Sequence, residues 1–363
     1  MMRKIFILFS GILLYLNVQS QPFIASGKVI DKQSGQALTG ASVFCQNTTL
    51  GTTTNSQGEF SLNLASGGYD LIVSFSGYET FSLRINNNTE NIRALTIDLK
   101  QKDKSLEEVS VTVTNEVKDG WEKYGAFFRE QFLGMTVNSS QCSIENPESL
   151  RFFYSKKKNR LKVTAREDLR VSNKALGYSI RYQLDSFVHE YASGNTQYTG
   201  FPFFEEMTGS AEEQENWKAN REKAYFGSLL HFMRCYYDST IGENGYKLEK
   251  VDEGSNKSKL INNPYDSAYY QVSNSRDVDL NFSGKLRVVY MLEQPEKNYL
   301  LANKLSPNTT IQISLLDFSE IITIEENGYF YDQKDLLALG YWSWEKLADF
   351  LPYNFEPLEE SRQ

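Results

Sequence analysis

The chain has 363 residues, enough for about two or three domains of the usual ~100–200 residues. Its hydrophobic fraction of 40% and charged fraction of 23% are typical of a globular protein, and its aromatic fraction of 13% favours β structure. The formal net charge of -8 argues against a nucleic-acid partner and against electrostatic attachment to an anionic membrane, because both need a basic surface.

The first twenty residues have the three parts of a secretory signal peptide. Arg3 and Lys4 form a positive segment, residues 5–16 form an apolar run, and residues 18–20 offer the small side chains that a signal peptidase reads. The alternative is an N-terminal membrane anchor, although the run is shorter than the ~20 residues that span a bilayer. No Cys follows it, as a lipoprotein signal would require. We expect an exported chain with no transmembrane helix after cleavage of residues 1–20.

Residues 21–100 are predicted to fold as a β-sandwich. The segment 59–64 alternates apolar and polar residues, which is typical of a strand that is buried on one face. Several short strands at this spacing, with turns between them, indicate a sandwich. Strands are expected at 24–30, 41–46, 52–54, 59–64, 69–74, 80–85 and 94–99.

Four motifs in this region resemble the carboxypeptidase regulatory-like domain. They are G-K-V-I-D at 27–31, G-A-S-V at 40–43, T-N-S-Q-G-E-F at 54–60 and F-S-G-Y-E-T at 75–80. Gly58 suits the tight turn that the third motif needs. The resemblance implies a seven-stranded, transthyretin-like sandwich. That domain accompanies peptidases but is not their catalytic part, so the resemblance implies no peptidase activity.

Residues 101–120 are expected to form a linker. Within it, the segment 105–114 resembles the stretch that follows the same sandwich in TonB-dependent outer-membrane transporters of the Bacteroidota. Only about 250 residues remain after it, too few for the long barrel of those transporters. The resemblance therefore implies a shared envelope setting, in the periplasm or at the outer membrane, and not transport.

Residues 121–363 are predicted to form an α+β domain, in which an antiparallel sheet packs against one long helix at 212–237. That segment has no Pro and only one Gly, and its apolar stripe is wide enough to pack on a sheet. The pair Asn327-Gly328 favours a hairpin turn. Shorter helices are expected at 121–132 and 342–350, and strands at 151–154, 160–164, 177–191, 268–272, 285–292, 310–315 and 320–324.

Three stretches of this second domain also look familiar. The segments at 132–138, 175–182 and 220–234 resemble a group of Bacteroidota envelope proteins that carry the same N-terminal sandwich. No activity comes with that group, so the resemblance extends the expectation about the fold and leaves the function open.

The sequence contains no recognisable catalytic motif. His189 and His231 lack the H-x-x-E and H-E-x-x-H patterns of zinc peptidases, and neither G-x-S-x-G nor a phosphate-binding glycine loop occurs. Cys235 follows His231 by one helical turn, which suits either a nucleophile with its base or two neighbouring side chains on one helix. Paired carboxylates such as Glu325-Glu326 suit either a glycosidase or a solvated surface. We expect no metal and no cofactor.

The most distinctive polar set lies on the predicted long helix. Steps of three and four residues would place four of its six members in one row, with two more nearby. The six residues are Trp217, Arg221, Tyr225, Ser228, His231 and Arg234. As a ligand site, the set would use Arg as a donor and Trp as a stacking surface for an anionic or sugar ligand. The alternative is a satisfied polar seam between helix and sheet.

The three cysteines leave two possibilities open. Cys142 and Cys235 lie in the same predicted domain and could form a disulfide in an oxidising compartment, with Cys45 left over. The alternative is that all three are small buried hydrophobic residues.

The sequence thus predicts a non-catalytic, exported envelope protein with a binding or scaffolding role. Its partner would be another envelope protein or a glycan. One alternative is a carbohydrate-binding module that acts in glycan uptake. Another is a hydrolase of unrecognised type, which would need a concave pocket in the second domain with two convergent titratable groups.

Overall fold

The computed structural model describes residues 22–358, apart from 103–114, 253, 255–256, 274–276, 283 and 332. The predicted signal peptide and most of the predicted linker lie outside these residues. Within them, no helix has the length and the apolar character that crossing a membrane requires.

The N-terminal part is a sandwich of two β-sheets. One sheet has the order β4-β1-β7 and the other β3-β2-β5-β6; β1 and β7 run parallel and the other neighbours antiparallel. Together they confirm the expected seven-stranded sandwich. Its strands among the described residues are β1 (Phe23–Asp31), β2 (Ser42–Cys45), β3 (Gly51–Thr53), β4 (Glu59–Leu64), β5 (Tyr69–Ser74), β6 (Phe81–Ile85) and β7 (Leu95–Leu99).

Strand β4 shows why these residues form a sandwich. Phe60, Leu62 and Leu64 are buried and alternate with exposed polar residues, so one face of the strand packs into the core between the sheets. The preceding turn requires Gly58, whose φ is +76° and whose added Cβ would lie 2.5 Å from the Val29 carbonyl oxygen. The turn therefore holds β4 in the register that directs its apolar side chains inward.

The second domain combines helices with two large sheets and one small sheet. Its first half contains α1 (Gly120–Leu133), β8 (Cys142–Ile144), β9 (Leu150–Ser155), β10 (Arg160–Ala165), β11 (Leu169–Asn173), β12 (Tyr178–Glu190) and β13 (Asn195–Glu206). Its second half contains α2 (Ala211–Tyr225), α3 (Leu229–Tyr237), β14 (Tyr246–Val251), β15 (Ser258–Leu260), β16 (Tyr270–Val272), β17 (Val278–Leu280), β18 (Gly284–Tyr290), α4 (Lys297–Ala302), β19 (Gln312–Phe318), β20 (Ile322–Ile324), β21 (Leu336–Gly340) and α5 (Tyr341–Trp344).

These strands form three antiparallel sheets where the sequence predicted one. The first has the order β8-β11-β12-β10-β9, with β13 beside β12, and shares a core with α1 that includes Phe128 and Phe152. The second, β15-β14-β18-β19-β21, shares a core with α3 that includes Phe232 and Leu286, and the third, β16-β17-β20, borders the same core. The α+β class is confirmed.

The predicted long helix at 212–237 is wrong in one respect, because it breaks between α2 and α3. Gly227 has a φ of +86°, and an added Cβ would lie 2.7 Å from the Tyr290 ring. Ser228 then caps α3: its hydroxyl accepts the His231 backbone N–H at 3.1 Å and donates to the Tyr225 carbonyl at 2.7 Å. The chain therefore turns here, and α2 and α3 pack on different sheets.

Other local predictions had mixed outcomes. The Asn327-Gly328 turn is confirmed, since the Gly328 N–H donates to the Glu325 carbonyl at 2.9 Å. Helix α1 confirms the prediction at 121–132, whereas the helix predicted at 342–350 ends at residue 344. Seven strands had not been predicted: β8, β11, β13, β14, β15, β17 and β21.

Replacing Gly227 with Ala should destabilise the second domain by about 2 kcal/mol or more, because Ala is strained at positive φ and its Cβ would meet the Tyr290 ring. Gly242→Ala is the matched control, since nothing lies within 4 Å of the added Cβ there. Denaturant unfolding would measure both changes. Equal stability of the two variants would contradict the tertiary origin of the helix break.

Candidate functional site

Arg221, from the predicted polar set, holds the turn between β11 and β12. Its guanidinium donates to the carbonyls of Leu176 at 2.7 Å and Gly177 at 3.1 Å, and it lies 3.9 Å from the centre of the Tyr178 ring. It also forms an ion pair with Glu206 at 3.3 Å. Three kinds of contact thus anchor this guanidinium within its own chain.

Trp217 closes the same turn from the neighbouring position on α2. Its indole Nε1 donates to the Lys174 carbonyl at 3.0 Å. Gly177 has a φ of +68°, and a Cβ there would lie 2.2 Å from the indole, so the backbone approaches the ring as closely as only glycine allows. Trp217 and Arg221 therefore act together as a clamp on one turn.

Ser228 and His231 lie beyond the helix break, and Tyr225 is the last residue of α2, just before it. His231 is buried, and its Nδ1 accepts the Gly227 backbone N–H at 3.2 Å and lies 2.9 Å from the Tyr246 hydroxyl. A neutral imidazole therefore carries its proton on Nε2. Burial raises the pKa of Tyr246 well above its usual value, so that hydroxyl stays protonated.

Arg234 joins α3 to two distant segments. It donates to the carbonyls of Asn327 at 3.1 Å, Tyr353 at 2.8 Å and Phe355 at 2.9 Å. Tyr225 lies beneath its guanidinium, 5.6 Å from ring centre to Cζ. The contacts fix the chain near residues 353–355 and the tip of the Asn327 hairpin onto α3.

The six residues therefore do not form the single helical row that their spacing predicted. The break at Gly227 separates Trp217 and Arg221 from Ser228, His231 and Arg234. The contacts of these residues within their own chain match a polar seam, which is the second of the two interpretations of the set. Ligand binding by this set stays a prediction.

A different surface joins the sandwich to the second domain through apolar contacts. Phe44 of β2 packs against Phe203 of β13 with ring centroids 5.3 Å apart, and Ile72 of β5 belongs to the same cluster. An added Cβ on Gly51 would lie 2.7 Å from the Phe203 ring. The sheet β3-β2-β5-β6 thus buries its outer face against β13.

Polar contacts extend this joint to the hairpin that follows β20. The Tyr329 hydroxyl donates to the Asp70 carboxylate at 3.0 Å, and Arg84 donates to the same hydroxyl at 3.2 Å. Asn86 donates to Glu325 at 2.9 Å. Burial raises the pKa of Glu325, which indicates that desolvation outweighs the hydrogen bonds it accepts.

A row of aromatic side chains covers the junction of α1 and the first sheet of the second domain. The ring centroids of Tyr124 and Tyr154 lie 6.2 Å apart, and those of Tyr154 and Tyr191 lie 6.0 Å apart. Trp121 continues the row through Phe152, at 6.4 Å. Tyr191 is 38% exposed and the other tyrosines are half-buried, so part of each tyrosine ring faces solvent.

Trp121 also lines a cleft of about 430 Å³ with charged side chains. Glu116 and Arg151, both in that lining, form a bidentate pair with distances of 2.9 and 2.6 Å. The hydrogen bonds from Arg151 lower the pKa of Glu116, so this carboxylate stays ionised and suits hydrogen bonding rather than proton donation. The cleft thus places planar polar groups beside an aromatic ring.

The described residues hold no group of three or more His, Cys, Asp or Glu side chains arranged for a metal ion. The three cysteines, Cys45, Cys142 and Cys235, are buried, and the structure forms no Cys142–Cys235 disulfide. It confirms the alternative of three buried hydrophobic residues.

A half-buried carboxyl lies near the C-terminal end of the second domain. Burial raises the pKa of Asp349 to about 7, and the negative charge of Glu296 acts in the same direction. Hydrogen bonds from Thr136 at 2.9 Å and Asn138 at 3.0 Å favour the ionised form and oppose this shift. The folded protein therefore binds a proton here more tightly than the unfolded chain does.

This carboxyl predicts a specific pH dependence of stability. Its pKa rises from 3.8 to about 7 on folding, so its stabilising contribution is complete below about pH 4 and is lost as the pH rises through 7. The loss amounts to at most about 4 kcal/mol. In Asp349→Asn, urea unfolding between pH 4 and 8 should show a shallower decline than in the native chain. The exposed Asp98→Asn variant should keep the native slope, and equal slopes in both variants would contradict the prediction.

Comparison with solved structures gives distant similarities. A DUF3823 family protein from Bacteroides ovatus is 9% identical, over 51% of this chain and 81% of that one, with a TM-score of 0.17. A protein of unknown function from Bacteroides fragilis, described as membrane-associated, is 11% identical over 88% of this chain and 95% of its own, with a TM-score of 0.18. None of the curated proteins matches the chain.

The match to a family confirms the resemblance that the four N-terminal motifs predicted. It covers all seven strands of the sandwich except the first residues of β1. Residues 25–111 match the model of the CarboxypepD_reg-like domain.

Proposed function

We propose that this chain is a non-catalytic binding or scaffolding protein of the bacterial envelope. The observation that carries the proposal is the joint between the sandwich and the second domain. Phe44 packs on Phe203, and Tyr329 bonds to Asp70 across it. Residues 1–20 support export.

The distinctive polar residues of the second domain also support a scaffolding role. The guanidinium groups of Arg221 and Arg234 donate hydrogen bonds to backbone carbonyls of their own chain. Such residues stabilise a rigid surface and leave few donors for a substrate. A rigid two-domain body suits the presentation of a surface to a partner.

The sandwich sheet β4-β1-β7 is the surface that we assign to this partner. It lies in the sandwich opposite the sheet that packs on the second domain, and with β3 it lines a cleft of about 680 Å³. Lys28 and Arg93 place two positive charges in that lining against one negative charge from Glu59, and Thr52 and Ser61 add polar groups. An acidic or strongly polar surface of another envelope protein would complement it.

The test is crosslinking of a tagged full chain in cells, followed by envelope fractionation and mass spectrometry. We expect one partner in stoichiometric amount with the outer membrane, and we expect Lys28→Glu to weaken its capture at least about fivefold by charge repulsion. Lys247→Glu, an exposed lysine of the second domain, is the control and should capture normally. A chain free in the periplasm with nothing attached, or specific hydrolytic turnover by the purified protein, would overturn the proposal.

A second candidate function is carbohydrate binding at the aromatic row beside the 430 Å³ cleft. Partly exposed rings can stack on sugar faces, and the Glu116–Arg151 pair offers hydrogen bonds to neighbouring hydroxyls. The cleft is large enough for a small ligand.

Binding of the purified chain to a glycan array would test this candidate. The affinity for any glycan that binds should fall at least about tenfold in Trp121→Ala and in Tyr191→Ala, because each substitution removes a ring on which a sugar could stack. Phe350→Ala, which also truncates an aromatic residue that is 40% exposed, should bind normally. A folded native chain without array signals, or equal loss in all three variants, would count against carbohydrate binding.

A further inference from the structure

We infer that strand β21 is an interface through which two copies of this chain pair edge to edge. β21 is the last strand of the sheet β15-β14-β18-β19-β21, so among the described residues its partner on one side is β19 and no strand pairs with its other side. An edge strand presents a row of unpaired N–H and C=O groups, which is a template for another strand.

The edge is open at the level of side chains as well. Leu336 and Ala338 point inward and pack against the core, yet both remain partly exposed. Leu337 and Leu339 point outward, and Leu337 is 55% exposed. Residues on both faces of the strand therefore reach solvent at this edge.

The composition of β21 sets it apart from the other edges of the fold. Natural proteins protect edge strands with charged residues or proline. Among the described edge strands of more than three residues, the others each carry such protection, whereas β21, Leu-Leu-Ala-Leu-Gly, carries none. The protecting residues are Glu59 in β4, Arg84 in β6, Asp98 in β7, Arg151 in β9 and Pro202 in β13.

The outward face continues the apolar surface onto β19. Leu315 lies directly opposite Leu339 in the sheet, and Ile313, two residues earlier on the same face of β19, is 42% exposed. Two ion pairs border these apolar residues. Asp317, which lies opposite Leu337, pairs with Lys285 at 3.3 Å, and Arg287, which lies opposite Leu315, pairs with Glu249 at 3.1 Å. The edge strand itself is therefore apolar, and the charges beside it pair with one another.

A second copy is the occupant that this edge fits best. Antiparallel pairing about a two-fold axis at Ala338 places Leu337 of one copy opposite Leu339 of the other, so leucines meet leucines on one face. The charged residues Lys334 and Asp335 precede the five paired residues, and Asp335 accepts a hydrogen bond from the Ser319 hydroxyl at 3.1 Å. The two sheets would join into one of ten strands with a continuous apolar patch.

The short strand sets the strength of this association. Five residues and the adjoining side chains make a small interface, which is typical of a reversible dimer and not of an obligate one. Dimerisation should therefore depend on protein concentration across the micromolar range. The inference is independent of the partner proposed for the sandwich, which uses strands of a different sheet.

Sedimentation velocity of the full chain over a range of concentrations tests the inference. We expect the native chain to dimerise and Leu337→Lys to raise the dissociation constant at least about tenfold, because an ammonium group would then face a leucine of the other copy. Leu301→Lys, at a leucine of α4 that is 78% exposed, is the control and should dimerise as the native chain does. A native chain that stays monomeric, or one whose dimer survives Leu337→Lys, would overturn the inference.

A crosslink identifies the register and covers the case in which Leu337→Lys fails to fold. Residues opposite each other in an antiparallel pair have Cα atoms about 4.5–5.5 Å apart, within the range of a disulfide. Ala338→Cys should therefore form disulfide-linked dimers under mild oxidation. Ser61→Cys, an exposed position on edge strand β4, should not. Equal crosslinking of the two would indicate random collision and contradict the β21 pairing.

Discussion

The tip of the hairpin that follows β20 is the contact on which the arrangement of the molecule depends. Asn327 donates to the Gly68 carbonyl at 3.0 Å and accepts the Gly68 N–H at 3.3 Å, and its own carbonyl accepts from Arg234. A Cβ added to Gly67 would lie 2.4 Å from the Asn327 side chain. A Cβ added to Gly328 would lie 2.8 Å from a leucine side chain of α3. The sandwich, the hairpin and α3 can meet here because two of the contacting residues have no side chain.

Local chemistry predicts this turn but not its surroundings. Asn-Gly favours a two-residue hairpin whatever surrounds it, and the alternation in β4 likewise predicts a half-buried strand. The break at Gly227 is different, because a lone glycine in an otherwise helical sequence costs only about 1 kcal/mol and does not require a break. At the break, Gly227 has a positive φ and packs against the Tyr290 ring, more than sixty residues away, where a side chain would not fit. Sequence reasoning failed where a distant residue decides a local conformation.

The prediction of the candidate site from the sequence had the same limit. The contacts of Arg221 and Arg234 match the polar seam, one of the two interpretations considered. Helical spacing had wrongly placed both residues along a single helix. It could not indicate their acceptors, because these are backbone carbonyls at Leu176 and Tyr353, and every residue type carries such a group. The aromatic row beside α1 was equally hidden, since Tyr154 lies on β9 and Tyr191 follows the end of β12. Its one signal was the high aromatic content of the chain.

The joint determines which surfaces are left for interaction. Once β3-β2-β5-β6 packs against the second domain, the sandwich retains the sheet β4-β1-β7, and the second domain retains the outer face of the sheet that ends in β21. The first surface carries Lys28 and Arg93 at its cleft, whereas the second presents leucines at its edge, so they suit different occupants. They share no strand, and each belongs to a domain that the joint holds in place. A partner at the sandwich and a second copy at β21 therefore use separate residues, and pairing through β21 would place two sandwiches on one assembly, which strengthens binding to any partner that presents two sites.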